Sequence, residues 1–330
     1  MLKQNDLYPT RGDYEFLSER KDPILYGWGG DGCRRRLSDT ELVDYEKNGF
    51  VIIPKVFSAR EIESLTRRLP RLRQQNKREK HRYWRRDIPP GESETLFAPE
   101  KSSALFHNLA RESRILDRVR QVLGGSVYLH RSRIHIENSE NDSFYPWHSE
   151  FESWHAMDGI PRMRGAEAWI MLSENTPTNG AMRMLAKSHY IFAACQGRNP
   201  SYDAVEYDSR IIHGLVRPSA ETLTRLLYFG ELVEAFGEPG TLVICDSNLM
   251  YGSSNAAAGK TRATAMFSYN SVDNIPLGPP FSSERPRQPP LVNRDLTPLK
   301  SKSFDLARPV FANDENPNEQ SRKAVQARAA

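Results

Sequence analysis

The chain has 330 residues, of which 38% are hydrophobic and 27% charged, and its formal net charge is +4. These values are ample for one large domain and do not require two. The three cysteines are widely spaced and odd in number, which implies neither a disulfide framework nor a zinc knuckle. No apolar run of about 18 residues is present, and the first residues lack the apolar core of a signal peptide. We therefore expect a cytoplasmic protein with no membrane contact.

The N-terminal part predicts helices around one strand. Residues 1–37 are polar and predict an irregular arm across the domain. Capping boxes at 38–41 and 58–61 each begin a helix. Residues 50–53 between them predict a buried strand. Apolar residues at helical spacing extend the second helix past Pro70, where a kink is expected.

Residues 67–86 are strongly basic and include His81, Tyr83 and Trp84. Basic residues with interleaved aromatics can bind nucleic acid. The pattern nevertheless continues an amphipathic helix, and the whole chain is only slightly basic. A solvated helix face or a loop near a site entrance is therefore favoured over a nucleic-acid surface.

The second half predicts a β-rich domain. Alternating apolar residues begin at Ser126, and strands are predicted near 127–136, 166–172 and 240–245. The polar residues 191–235 predict an inserted lid. We expect one domain over 1–290 and a disordered proline-rich and polar tail over 291–330.

The densest group of candidate site residues lies at 144–164. In an extended strand, residues two apart point to the same face, so His148 and Glu150 can direct an imidazole and a carboxylate at one point. Iron(II) bound by two histidines and one carboxylate uses such a pair and a distant histidine. A His-x-Glu pair alone is common, so its sequence context decides its meaning.

That context is a family resemblance. Trp147-His148, Trp154-His155, Asp158-Gly159 and the run at 161–164 closely resemble the signature of ectoine hydroxylases in the phytanoyl-CoA dioxygenase family. Further similar segments lie at 6–9, 21–23, 128–134 and 269–274, so the resemblance covers roughly residues 5–280. It implies a mainly β fold with flanking helices, a double-stranded β-helix of the jelly-roll and cupin class. It also implies iron(II) and 2-oxoglutarate as cofactors.

The departures from the family concern the metal ligands. Glu150 stands where the family has Asp, and Tyr251 stands where the resemblance places the distal histidine. None of the eight histidines lies beyond His213. Three alternatives follow: Tyr251 binds the metal as phenolate beside His148 and Glu150, His135 supplies the missing imidazole, or the site holds metal poorly or not at all. Because two of the three expected ligands differ, the last is favoured.

The co-substrate part of the resemblance is better preserved. Arg262 follows Tyr251 by eleven residues, the spacing at which the family places an arginine that clamps the distal carboxylate of 2-oxoglutarate. Ser253 and Trp154 match residues that line the co-substrate or substrate pocket. His135 stands where the family has Asn, close to the co-substrate and iron.

The resemblance also implies a changed substrate pocket. Arg133 is kept, whereas Arg131 replaces Gln. Two aromatic residues that enclose the ectoine ring correspond to Cys245 and Met266, so a cation-π enclosure is lost. We expect substrate contacts from Arg131, Arg133, Trp154, Cys245 and Met266, and a ligand that is larger or more anionic than ectoine.

The leading functional hypothesis is an iron(II) and 2-oxoglutarate oxygenase that acts on a small polar metabolite other than ectoine, with His148, Glu150 and Tyr251 as catalytic residues. The alternatives are a non-catalytic binding or regulatory homologue, and an oxygen-independent enzyme in which these three residues transfer protons. We expect a small-molecule partner and no nucleic acid, and leave a homodimer open. His155 and His189 are expected to be structural.

Overall fold

The structure is a computed structural model, and it describes residues 6–27, 35–78, 94–138, 146–197, 217–253, 257, 260–278, 287 and 289–307. The helices are α1 Asp39–Asn48, α2 Ala59–Thr66, α3 Leu69–Arg78, α4 Pro99–Ser102, α5 Ala104–Leu109, α6 Ser113–Leu123, α7 Glu150–Ser153 and α8 Ala220–Leu227. A π-helical turn spans Trp154–Asp158 and a 3-10 turn spans Ser188–Tyr190.

Both predicted capping boxes form. At the start of α1, the Ser38 hydroxyl accepts from the Glu41 backbone N–H and the Glu41 carboxylate accepts from the Ser38 backbone N–H. The α1 helix ends at Gly49, whose φ of 83° lies in the left-handed region that glycine tolerates. Ser58 and Glu61 cap α2 in the same way.

The segment predicted as one helix with a kink at Pro70 forms two separate helices. The α2 helix ends at Thr66, and α3 begins at Leu69. Pro70 thus lies in the first turn of α3, where a missing backbone N–H breaks no helical hydrogen bond. Residues 79–93, with His81, Tyr83 and Trp84, lie outside the described residues.

The strands are β1 Phe16–Glu19, β2 Phe50–Ile53, β3 Glu94–Phe97, β4 Val127–Asn138, β5 Gly165–Met171, β6 Met182–Ala186, β7 Ile191–Ala194, β8 Glu231–Glu234, β9 Leu242–Asp246, β10 Tyr251–Ser253 and β11 Thr261–Ser271. The order in the large sheet is β2-β9-β5-β11-β4-β3. A three-stranded sheet has the order β10-β6-β8, and β1 pairs with β7. All these pairings are antiparallel.

The large sheet has one face covered by helices and one inner face turned toward the three-stranded sheet. The space between the two sheets is the interior of the barrel. On β11, Ala263, Ala265 and Phe267 belong to the main apolar core with side chains of α1, α2, α5 and α6. The intervening residues, two apart in sequence, point to the opposite face. There Met266 joins an apolar cluster that links the large sheet to the three-stranded sheet. Arg131, Arg133, His135 and Glu137 of β4 alternate with core residues and line this inner face.

Two of the expectations about chain segments need correction. The arm is not wholly irregular, because β1 pairs with β7. The segment 191–235 is not an irregular insertion where it is described: it contains β7, α8 and β8, while residues 198–216 lie outside the description. The lid itself therefore stays a prediction.

The prediction of a disordered tail from residue 291 onward is wrong for residues 291–307. Leu291, Val292 and Leu306 are buried there. The Leu299 backbone N–H donates to the Val127 carbonyl at 2.8 Å. Residues 308–330 lie outside the described part of the chain.

Two long-range ion pairs fix the N-terminal arm. Arg11 pairs with Glu152 at 2.6 Å, and Arg20 pairs with Asp246 at 2.8 Å. All four side chains are nearly inaccessible to solvent. The arm therefore connects the segment that carries α7 with the end of β9. Among the helices of the described ranges, none is long and apolar enough to cross a membrane.

We predict that truncation after Pro290 destabilises the protein. It removes three buried aliphatic side chains, which together contribute roughly 5 kcal/mol through apolar burial, and it exposes the surface they cover. Denaturant unfolding of the truncated and full-length chains measures the loss. The control is truncation after Ala307, which retains all three side chains; equal stability of the two truncated forms would contradict the assignment.

Candidate functional site

His148 and Glu150 do not share a strand. His148 forms an isolated antiparallel bridge with Tyr251, in which each backbone N–H donates to the other residue's carbonyl at 3.0 Å. Glu150 is the first residue of α7. The predicted strip of extended backbone therefore ends at His148, although His148 Nε2 and Glu150 Oε1 still lie 3.7 Å apart.

Glu150 is fully buried, and both of its oxygens accept hydrogen bonds. Oε1 accepts from Arg133 Nη2 at 2.6 Å and from the Tyr251 hydroxyl at 2.8 Å. Oε2 accepts from Trp154 Nε1 at 3.1 Å and from Arg131 Nη1 at 3.4 Å. Burial alone would raise the pKa of Glu150, but the charges of Arg133 and Arg131 outweigh it and hold that pKa well below its usual range.

Arg133 contacts two of the residues predicted as metal ligands. Its Nη2 atom donates to the Tyr251 hydroxyl at 2.9 Å as well as to Glu150. The Tyr251 ring packs against His148 with 4.5 Å between ring centroids. A guanidinium group thus lies beside the carboxylate and the phenol at the centre of the candidate site.

Glu167 is a second buried carboxyl near Arg133, 3.7 Å away. It accepts from Trp169 Nε1 at 2.7 Å and from the Ser268 hydroxyl. Burial raises the pKa of Glu167 and the charge of Glu150 raises it further, while Arg133 opposes this. Glu167 was not predicted as a site residue, although a carboxyl group among the apolar residues of a predicted strand was the available signal.

Arg262 binds a carboxylate of the chain itself. Its Nη2 atom lies 3.3 Å from Glu137 Oε2, its Nε donates to the Gly180 carbonyl at 2.8 Å, and its Nη1 donates to the Thr264 hydroxyl at 3.1 Å. His135 belongs to this group: its Nε2 contacts Glu137 Oε2 at 2.8 Å, and its Nδ1 contacts Thr95 Oγ1 at 3.1 Å.

The remaining predicted residues lie around these two groups. Trp154 contacts Glu150 and packs against His130 with 4.7 Å between ring centroids. Cys245 and Met266 lie in the apolar cluster that also contains Tyr251. Ser253 is buried in β10, opposite Met182.

A third polar group was not predicted. His130 Nε2 lies 3.1 Å from Asp158 Oδ2, and Arg287 Nε donates to Asp158 Oδ1 at 3.0 Å. Burial raises the pKa of Asp158, but Arg287 and the hydrogen bond from His130 outweigh it and lower that pKa. Burial lowers the pKa of His130, which favours neutral imidazole. Nε2–H then donates to Asp158, and Nδ1 is an acceptor with no hydrogen-bond partner among the described residues.

A β-bulge positions His130. Arg131 is opposite Ser268 and Leu129 is opposite Tyr269, which leaves His130 as the extra residue. A bulge redirects a side chain that regular alternation would place on the other face. Alternation counted back from Ile134 and Ile136, which lie in the main core, would assign His130 to the helix-covered face.

His155 and His189 make the contacts of structural residues. His155 Nδ1 lies 2.8 Å from the Ile160 carbonyl, and its Nε2 lies 3.1 Å from Asp6. His189 Nε2 donates to the Glu46 carbonyl at 2.9 Å. His155 thus connects its own turn to the N-terminal arm, and His189 connects the 3-10 turn to α1, as expected of structural residues.

Comparison with known proteins establishes the family. The model of phytanoyl-CoA dioxygenase (PhyH) matches residues 45–264. The ectoine dioxygenase of Streptomyces coelicolor is 33% identical over 297 residues, which cover 89% of this chain and 97% of that protein. The ectoine dioxygenase of Halomonas elongata is 32% identical over 284 residues, covering 85% and 84%. The chain belongs to the PhyH family.

Solved structures of relatives confirm the predicted fold of this PhyH chain. EctD from S. alaskensis with bound Fe superposes with a TM-score of 0.77 at 29% identity, covering 92% of this chain and all of that one. The EctD structure with 2-oxoglutarate and 5-hydroxyectoine gives a TM-score of 0.73 at 27% identity, with the same coverage. The carbocyclase SnoK, at 16% identity and a TM-score of 0.56, shows the fold alone. The cupin-like jelly roll is therefore confirmed.

The side chains of this PhyH member do not fit a divalent metal. A ligand oxygen must direct a lone pair at the metal, whereas Glu150 Oε1 and the Tyr251 hydroxyl both accept from Arg133. In the ranges that the structure covers, no three or more His, Cys, Asp or Glu side chains are grouped to hold a metal ion. His135 contacts Glu137 and Thr95, and its role as a metal ligand stays a prediction.

We predict that Arg133→Met destabilises this PhyH chain by about 3–5 kcal/mol, because it removes one partner of a buried ion pair. Arg183→Met is the matched control: Arg183 also pairs with a glutamate from a strand, but it is partly exposed, and its loss should cost under about 1 kcal/mol. Urea unfolding compares the two variants. Equal effects would show that Arg133 does not neutralise Glu150.

Proposed function

We propose that this PhyH chain is a metal-independent homologue of ectoine dioxygenase that binds a small anionic metabolite inside the barrel. The observation that carries the proposal is the contact of Arg133 with both Glu150 and Tyr251. Arg131 and Arg133 together bring the same formal charge as a ferrous ion. An arginine pair thus neutralises the carboxylate that would otherwise require a metal.

The charges inside the barrel support an anionic ligand. Four buried guanidinium groups face four buried carboxyl groups, namely Arg131, Arg133, Arg262 and Arg287 with Glu137, Glu150, Asp158 and Glu167. The raised pKa of Glu167 favours its neutral form. When Glu167 is protonated, one positive charge is in excess among these eight groups, and a buried excess charge favours a ligand of opposite sign.

The residues near this group also support a ligand other than ectoine. Cys245 and Met266, which replace aromatic residues of the ectoine pocket, are buried in an apolar cluster and offer no aromatic face. Arg131 adds a guanidinium group next to Glu150. A carboxylate or phosphate ligand suits this environment better than a zwitterion enclosed by aromatic rings.

The oxygenase hypothesis is the alternative that family membership favours. EctD is solved with Fe and with 2-oxoglutarate, and an oxygenase here would act on a small polar metabolite other than ectoine. Iron would then have to be held by His148, Glu150 and Tyr251, which requires Arg133 to leave Glu150. 2-Oxoglutarate would have to displace Glu137 from Arg262.

An oxygen-independent acid–base enzyme is a second candidate, supported by His130. Its neutral imidazole is held by Asp158, and its buried Nδ1 atom has an available lone pair. Glu150 is a poor base because its pKa is strongly lowered. His130 and Glu167 therefore suit proton transfer better than the three residues predicted from the sequence. A small-molecule partner, the absence of a nucleic-acid partner and a homodimer stay predictions.

Metal binding separates the first two hypotheses. We predict that the protein, mixed anaerobically with iron(II) and 2-oxoglutarate, retains no stoichiometric iron and shows no visible charge-transfer band. The double variant Glu150→Asp/Tyr251→His, which restores the ligand types of the family, is the positive control and should retain iron. Stoichiometric iron with that band in the unmodified chain would overturn the proposal.

Anion binding tests the proposal directly. We predict that calorimetry with a panel of lactate, succinate, glutarate and phosphate finds a ligand whose affinity falls at least about tenfold in Arg131→Gln, because a charge-assisted hydrogen bond contributes about 1.5–3 kcal/mol. Arg183→Gln, on the three-stranded sheet, is the control and should bind normally. Binding that survives Arg131→Gln unchanged would exclude this site.

A further inference from the structure

We propose that Glu137 is a built-in carboxylate ligand of Arg262, which closes the chain's carboxylate clamp to free acids. This inference goes beyond the proposed function, since it concerns a different group of residues. It makes Glu137 a specificity-determining residue, whose side chain takes the position that the carboxylate of a small acid would otherwise occupy.

The hydrogen bonds of Arg262 are the first observation that supports this proposal. Each of its three guanidinium nitrogens has a partner within the chain: the Gly180 carbonyl, the Thr264 hydroxyl and the Glu137 carboxylate. The Arg262 side chain is completely buried. Three of the five N–H donors of the guanidinium group are thus engaged, and another carboxylate would have to compete with Glu137 for Nη2 to bind in a two-pronged way.

The backbone makes this contact a fixed feature. Arg262 of β11 and Glu137 of β4 are direct cross-strand partners, so their side chains leave the same face of the sheet side by side. Neither residue needs an extended loop to reach the other. The pairing is therefore present whenever the two strands are paired.

Glu137 is also held from its other side. His135 lies two residues earlier on the same face, and its Nε2 contacts the same Glu137 oxygen as Arg262 does. Thr95 on the neighbouring strand β3 holds the second ring nitrogen of His135. This chain of contacts orients the carboxylate toward Arg262.

The electrostatics agree with a counter-ion role. Burial lowers the pKa of Arg262, and the charge of Glu137 opposes that shift. Without Glu137, the guanidinium charge would lie in a buried site with only neutral partners, which is strongly unfavourable. An exogenous carboxylate of suitable size would then restore the charge balance.

Chemical rescue tests the proposal. Glu137→Ala removes a methylene and a carboxylate, which together correspond to acetate. We expect the variant to melt at least about 5 °C below the unmodified protein, and added acetate to restore most of this loss with a saturable dependence. Sodium chloride at equal ionic strength should not restore it, and neither salt should produce such a gain in the unmodified protein.

Glu234→Ala is the matched control, because Glu234 also pairs with an arginine across two strands but at a partly exposed position. Its melting temperature should not respond specifically to acetate. If Glu137→Ala does not fold alone, the yield of refolding in acetate relative to chloride replaces the melting temperature. A variant as stable as the unmodified protein, or one that acetate does not rescue, would overturn the proposal. Neither result depends on iron or on the anion proposed near Arg131.

Discussion

The inner face of the barrel depends on the neutralisation of Glu150. A fully buried carboxylate is stable only when its charge and both oxygens are satisfied. Arg133, Arg131, Tyr251 and Trp154 provide this, and they come from three separate parts of the chain. The hydrogen bonds to Glu150 thus join β4, the start of α7 and β10. Substituting any of these residues would change the environment of the others.

The three polar groups inside the barrel share one principle. Glu150 with Arg133, Glu137 with Arg262, and Asp158 with Arg287 each pair a buried carboxylate with a buried guanidinium. In its relative EctD, solved structures contain Fe or 2-oxoglutarate. Here each of these three carboxylates has a guanidinium group of the chain itself as its ion-pair partner. One fold can thus carry different sets of polar groups in its interior.

Local patterns were sufficient to predict much of this fold. The serine–glutamate pairs at Ser38 and Ser58 define helix starts through contacts within four residues, and alternation identified the long strands. The resemblance located His148, Glu150, Tyr251 and Arg262. It could not show their partners, because Glu137 meets Arg262 through cross-strand register, and Arg133 meets Glu150 and Tyr251 through contacts between distant segments. Arg287 lies 129 positions from its partner Asp158, and the bulge at His130 interrupts the alternation within β4.

The ion pair between Arg20 and Asp246 also constrains the order of folding. These residues are 226 positions apart, so the arm made first during synthesis cannot dock until β9 has been made. The contacts of residues 299–304 with β4 and with the start of α6 form later still. Because such distant contacts close large loops, the chain completes its native structure only when nearly all of it has left the ribosome. Until then, the exposed inner strands are candidates for chaperone binding.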